Sequence, residues 1–125
     1  NSSKPHGIPS DKLLETGDFL TMDFGCIYSG YCSDMTRTVA IGQVSREMEE
    51  VYNTVLEAQL YACQHLKAGL HVKEGDELAR KIIREAGFGD CFGHGLGHGC
   101  GSRSGDRDLR IEFSSAYFQG RTGTG

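Results

Sequence analysis

A chain of 125 residues, 38% hydrophobic and 24% charged, can build one domain with a modest core and has the balance of a soluble globular protein. Its formal net charge of −4 excludes a general attraction to nucleic acid or to an anionic membrane, and no apolar run approaches the roughly 20 residues of a membrane span. Five cysteines, an odd count without a Cys-x-x-Cys clip, predict buried free thiols in a reducing, cytoplasmic setting. No basic-then-apolar leader is present, and the first residue is Asn, so the chain reads as a fragment.

The first sixteen residues carry turn chemistry at Lys4-Pro5-His6-Gly7 and Pro9-Ser10-Asp11. His6 therefore lies on irregular backbone that can approach a ligand. Gly17-Asp18 leads into two arms rich in β-branched and aromatic residues, Phe19 to Tyr28 and Tyr31 to Ile41, separated near Ser29-Gly30. This pattern predicts an antiparallel hairpin. A turn centred on Tyr28-Ser29 sets Asp23 directly opposite Asp34, and one centred on Ser29-Gly30 makes them diagonal neighbours. In both registers the carboxylates share a face, roughly 4.5–8 Å apart. At about 5 Å they repel by about 3 kcal/mol at an effective dielectric near 20. Such a pair is tolerated where a cation sits between the acids, where one is protonated, or where the face is open to water. Leu20, Met22, Phe24, Cys26 and Tyr28 alternate onto the other, apolar face.

Ser45, followed by Glu47, Glu49 and Glu50, predicts a capped helix start, and Met48, Val51, Val55, Ala58, Ala62 and Leu66 carry the helical period for about 20 residues. Cys63 and His65 late on this helix read as structural, and His71 in the following connector receives no role. A second helix is expected from about Lys73 to Ala86, with Leu78, Ile82, Ile83 and Ala86 as its buried stripe and Gly87 as its stop. Two helices after a hairpin can cover its apolar face and leave the polar, acid-bearing face free.

The stretch from Phe88 to Gly101 alternates glycine with other residues and holds His94 and His98. Its glycines argue against helix, and on an extended chain residues four apart point the same way. The alternatives for this stretch are a metal or catalytic site and a glycine-rich turn. Beyond Gly101 the chain is polar and aperiodic, with a short candidate strand from Ile111. Tyr117-Phe118-Gln119-Gly120 matches the end of a tag-cleavage site, so residues 102–125 are expected to be a tag-derived or frame-shifted tail, leaving 1–101 as the domain. Two acids on one hairpin face and a histidine on a glycine strand form a mixed N/O donor set that suits Mn, Co, Fe or Zn in a hydrolytic site better than a structural zinc.

Pro5-His6-Gly7, Asp23-Phe24-Gly25, Ser33-Asp34-Met35-Thr36-Arg37-Thr38 and His94-Gly-Leu-Gly-His98-Gly, in this order, closely resemble the metallopeptidase family of pita-bread fold. That family comprises Xaa-Pro aminopeptidases, prolidases and methionine aminopeptidases, and the Ser-Asp-Met-Thr-Arg-Thr run and double histidine are most similar to the Xaa-Pro branch. The resemblance covers about residues 1–101. It implies an α+β fold, about the first half of a pita-bread domain, with an antiparallel hairpin covered by two helices. It implies two divalent ions, manganese first, with Asp23 chelating one, Asp34 bridging both and His98 binding the other. His94 and His6 would stand beside a peptide substrate while a metal-bridging hydroxide cleaves the first peptide bond, with proline second.

The chain also departs from that pattern. The family takes two more ligands, both glutamates, from its second half, and usually a histidine seven residues after the one matched by His98; position 105 is Gly, and Glu112 is the only glutamate after Glu85. With three of five ligands, weak metal binding and little or no turnover are expected of this polypeptide alone. A half-fold is also expected to oligomerise or swap through its open sheet edge. The alternatives are a methionine aminopeptidase and a catalytically dead binding module of the same fold.

Overall fold

The structure, a computed structural model, describes residues 8–99 and the pair 109–110. Strand β1 (Phe19–Phe24) pairs antiparallel with β4 (Met35–Ala40), from Phe19 opposite Ala40 to Phe24 opposite Met35. The inner pair, β2 (Ile27–Tyr28) and β3 (Tyr31–Cys32), continues in the same register to Tyr28 opposite Tyr31. The turn is thus centred on Ser29-Gly30, the second of the two expected registers. Both residues take positive φ, 49° and 85°, as a two-residue turn that follows the strand twist requires.

Helix α1 (Arg46–His65) is 20 residues long, and the Ser45 hydroxyl accepts from Met48 N at 3.2 Å, so the predicted cap is present. Helix α2 (Val72–Glu85) starts at a residue the sequence left without a role. His71 is its N-cap: Nδ1 accepts from Lys73 N, and His71 N donates to the Glu74 carboxylate at 2.9 Å. At the other end Gly87, with φ 86°, donates to Arg84 O and Phe88 N donates to Ile83 O, closing a Schellman motif. A single 3-10 turn (Gly89–Cys91) leads into the glycine-rich segment, which ends in β5 (His98–Gly99) paired with β6 (Leu109–Arg110).

The α+β class is as expected, but the burial is distributed differently. Helices α1 and α2 pack on each other through Ala58, Ala62, Ala79 and Ile83, and Leu96 of the glycine-rich segment closes this core. Alanines at the crossing let the helix backbones approach closely, and Leu66, Leu78, Ile82, Phe88 and Phe92 surround them. The apolar face of the hairpin is not covered by the helices. Phe24 is 52% exposed, and Met22, Met35, Val39 and Tyr28 are exposed as well. Helix α1 meets the hairpin at its far end, where the Tyr52 ring lies 5.9 Å from that of Phe19. A groove of about 320 Å³ separates Thr36 and Thr38 from Tyr52, Val55 and Gln59. Face-to-face cover needs side chains aimed at the sheet, and α1 spends its small-residue stripe on α2 instead.

The thiols also differ from expectation. Of the described cysteines none is buried: Cys26 and Cys63 are exposed, and Cys32 and Cys91 are half-exposed. Cys100 lies outside the described residues. No helix among the described residues is long and apolar enough to cross a membrane.

Candidate metal site

The site begins with the break between the two ladders of the hairpin. Ser33 N donates to Cys26 O at 2.8 Å, and Cys26 N donates to the Ser33 hydroxyl at 3.0 Å rather than to a carbonyl. The Ser33–Asp34 peptide therefore crowds onto Gly25. A Cβ at Gly25 would stand 2.0 Å from Ser33 O and 3.4 Å from Asp34 Cα, which only glycine permits. This close approach sets where Asp34 leaves the strand.

Asp23 pairs with Thr36, and Asp34 precedes Thr36 by two residues, so the two acids are diagonal neighbours on the face that carries Thr21 and Thr38. The hydroxyls of those threonines share a hydrogen bond of 3.0 Å, which marks the face as polar. Asp23 is exposed and Asp34 half-buried. From the glycine-rich segment, His98 brings Nε2 to 3.8 Å from Asp34 Oδ2. Segments 64 residues apart, the second arm and β5, thus bring Asp34 and His98 side by side.

At 3.8 Å the imidazole and carboxylate stand beyond hydrogen-bond range. Two donors each about 2.1 Å from one divalent ion stand about 3.4 Å apart at a tetrahedral angle, so this pair needs to close by only a few tenths of an ångström. The nitrogen and oxygen donors suit the ions named by the sequence. Among the described residues, however, no three His, Cys, Asp or Glu side chains converge tightly enough to hold an ion, so Asp23 does not complete a three-point grip.

His94 is half-buried four residues before His98. Its Nδ1–H donates to Gly95 O at 2.7 Å, and the ring stands edge-on to Phe92 at 5.0 Å. His6 lies outside the described residues.

The backbone that carries both histidines is tied to α2. The Arg80 guanidinium donates to Phe92 O and His94 O, both at 2.8 Å, and lies 4.6 Å from the centre of the Phe92 ring. It also forks onto Asp76, at 2.6 and 3.2 Å, and Asp76 Oδ1 accepts from Leu96 N at 2.8 Å. Burial alone would raise the Asp76 pKa, but the hydrogen bonds from Arg80 and the Leu96 amide, with the Arg80 charge, hold it below its ordinary 3.8. Sequence reasoning passed over this pair. The available signal was an acid and an arginine four residues apart beside the Gly75–Ala79–Ile83 buried stripe, where an ion pair is drawn partly out of water.

A hairpin with paired acids, two mutually packed helices and an imidazole delivered by a glycine-rich strand make part of a pita-bread α+β fold of the metallopeptidase kind. The chain belongs to metallopeptidase family M24, whose model matches residues 1–122. It is 54% identical over 93 residues to the Bacillus subtilis (strain 168) protein named uncharacterized peptidase YqhT, covering 74% of this chain and 26% of that one. Among solved structures it is similar to an Xaa-Pro dipeptidase from Bacillus anthracis, with a TM-score of 0.78 and 48% identity over 93% of this chain and 31% of that one. The prolidase from Pyrococcus furiosus gives a TM-score of 0.78 and 42% identity, with 90% of this chain and 36% of that chain covered. The chain thus spans about a quarter to a third of the length of these relatives.

Proposed function

We propose that this chain carries part of the metal site of an aminopeptidase or dipeptidase that hydrolyses the bond between an N-terminal residue and proline. The observation that carries this reading is the approach of His98 Nε2 to Asp34 Oδ2 at 3.8 Å across a hairpin whose other acid shares the face. The Xaa-Pro dipeptidase and prolidase names of similar structures support the choice of substrate bond. Asp23 would hold one divalent ion, Asp34 both of a pair, and His98 the other, with manganese the first candidate. Bound ions supply Lewis acidity and an acidified water at the scissile carbonyl.

The chain's own side chains orient the substrate. His94 is proposed to stand beside the substrate, with the orientation of its ring held by Nδ1–H donating to Gly95 O. His6 is likewise proposed to stand beside the substrate. The glutamates that the family pattern supplies from its second half are not matched after Glu85, so this chain is proposed to bind manganese weakly and to turn over no Xaa-Pro dipeptide by itself. Residues 1–101 are proposed to form the catalytic part.

Calorimetric titration with Mn²⁺ tests the site. The wild-type chain should take up the ion, and Asp34→Ala and His98→Ala should each weaken uptake by about tenfold or more. Equal uptake by wild type and Asp34→Ala would remove the basis of the reading. A coupled Xaa-Pro dipeptide assay with added manganese tests completeness: turnover abolished by Asp34→Ala would show that the chain needs no further ligand.

A further inference from the structure

The segment from Phe92 to His98 poses a mechanical problem. Gly93, Gly95 and Gly97 alternate with its functional residues, and a Cβ placed at Gly93 or Gly95 would meet nothing within 4 Å. Side-chain packing therefore does not fix this backbone between Phe92 and Leu96, and glycine is the residue with most freedom to lose. A segment of this kind left to itself would deliver an imidazole over a range of positions.

We propose that Asp76 and Arg80 of α2 are positioning residues, a clamp that grips the backbone of Phe92, His94 and Leu96 and thereby sets where His94 and His98 stand. The proposal rests on the metal-site reading for what those histidines do, but the clamp stands on its own geometry. Arg80 donates to Phe92 O and His94 O, and Asp76 accepts from Leu96 N, so backbone groups of alternate residues all turn to the same helix face. Alternate residues on an extended chain present their groups to one side. The two side chains also lock each other: Nε and one Nη2 hydrogen of Arg80 are spent on the Asp76 carboxylate, and the remaining contacts use the adjacent edges of the planar fork. Both are about one quarter exposed, at 24% and 29%, so water competes weakly for these bonds. Leu96, seated in the core beside Ala79 and Ile83, anchors the far end. His98 follows two residues later, so the transmitted error is short.

This geometry makes Arg80→Lys the informative variant. Lysine keeps the charge but is a single point donor group that cannot span Asp76 and two carbonyls at once. Asp76→Asn keeps an oxygen for Leu96 N and is the conservative comparison. Amide hydrogen exchange by NMR is the first readout. Arg80→Lys should raise exchange at residues 93–98 by about tenfold or more while amides in the middle of α1 and α2 stay within about twofold of wild type. Asp76→Asn should leave the Leu96 amide better protected than Asp76→Ala does. Mn²⁺ affinity by calorimetry is the second readout, and Arg80→Lys should lower it by about tenfold with the urea midpoint little changed. Unchanged exchange at 93–98 in Arg80→Lys overturns the proposal. So does a uniform rise across both helices, which would make the pair a part of the scaffold only. If wild type takes up no Mn²⁺, the metal reading fails, and the exchange pattern still decides on the clamp.

Discussion

Replacing Gly25 by alanine probes the contact on which the placement of Asp34 depends. The added methyl carbon would lie 2.0 Å from Ser33 O and 3.0 Å from Ser33 C. Ordinary carbon–oxygen approaches are about 3.3–3.6 Å, so the Ser33–Asp34 peptide must retreat by more than about 1 Å. The obstacle is backbone and cannot rotate aside. It is also held by Ser33 N to Cys26 O and by Cys26 N to the Ser33 hydroxyl, so the retreat stretches both bonds. Overpacking of this kind costs about 1–3 kcal/mol, against which alanine recovers about 0.4–1 kcal/mol of unfolded-chain entropy. The net loss is about 1–2 kcal/mol, a fall of roughly 4–16 °C in melting temperature for a domain of this size. Gly93→Ala is the control, because a Cβ there meets nothing within 4 Å, and it should melt within a few degrees of wild type. Urea and thermal unfolding followed by circular dichroism measure both. Gly25→Ala as stable as Gly93→Ala would refute the close-approach argument. Because Asp34 moves with the peptide, Mn²⁺ uptake should fall in Gly25→Ala even under conditions where it is fully folded.

Ile83, 1% exposed at the centre of the core, should cost about 2–5 kcal/mol when cut to alanine, and an unfolding midpoint close to wild type would show that the helix pair is not the stabilising centre. Removing the α2 cap partner by Glu74→Ala should cost about 0.5–2 kcal/mol, read from the urea midpoint. Asp76 predicts a pH dependence. Its folded pKa lies below 3.8, so the unfolded chain takes up the proton first. Its contribution is therefore complete above that value and drains away as the pH falls through the lower folded value. The stability gap between wild type and Asp76→Asn should be wider at about pH 6 than at about pH 3, and a constant gap would contradict the assignment.

Local rules made most of the elements legible. Ser45 as a cap, Gly87 as a stop, the apolar period of α1 and the hairpin itself all follow from interactions within a few residues. The pattern leaves two hairpin registers, because sequence alone does not say which residues of Tyr28-Ser29-Gly30 accept positive φ; the structure puts it on Ser29 and Gly30. What the sequence hid was long-range. The helical period of α2 points to Leu78, Ile82, Ile83 and Ala86 as its stripe, whereas the buried positions are Ile83 with Gly75 and Ala79, small residues of the kind that close helix packing prefers. The exposed row of Met22, Phe24, Met35 and Val39 was equally out of reach, because alternation says that a face is apolar and not what lies against it.

The same residue type solves opposite problems in the two halves of the site. At Gly25 the missing side chain lets another backbone come so near that Asp34 has little freedom left. At Gly93 and Gly95 the missing side chain leaves open space, and the chain gains the freedom that the histidines cannot use. A donor pair held 3.8 Å apart needs both partners fixed, since an ion bound by one rigid and one wandering ligand loses much of its binding energy in ordering the second. The acid is fixed by contact within the hairpin. The imidazole lies at the end of a segment whose glycines bring no side chains to pack, so restraint on its backbone has to come from outside it, and α2 is the neighbouring element that reaches its carbonyls. An arginine suits that task better than an apolar residue, because a glycine strand offers backbone polar groups and no side chains to pack against.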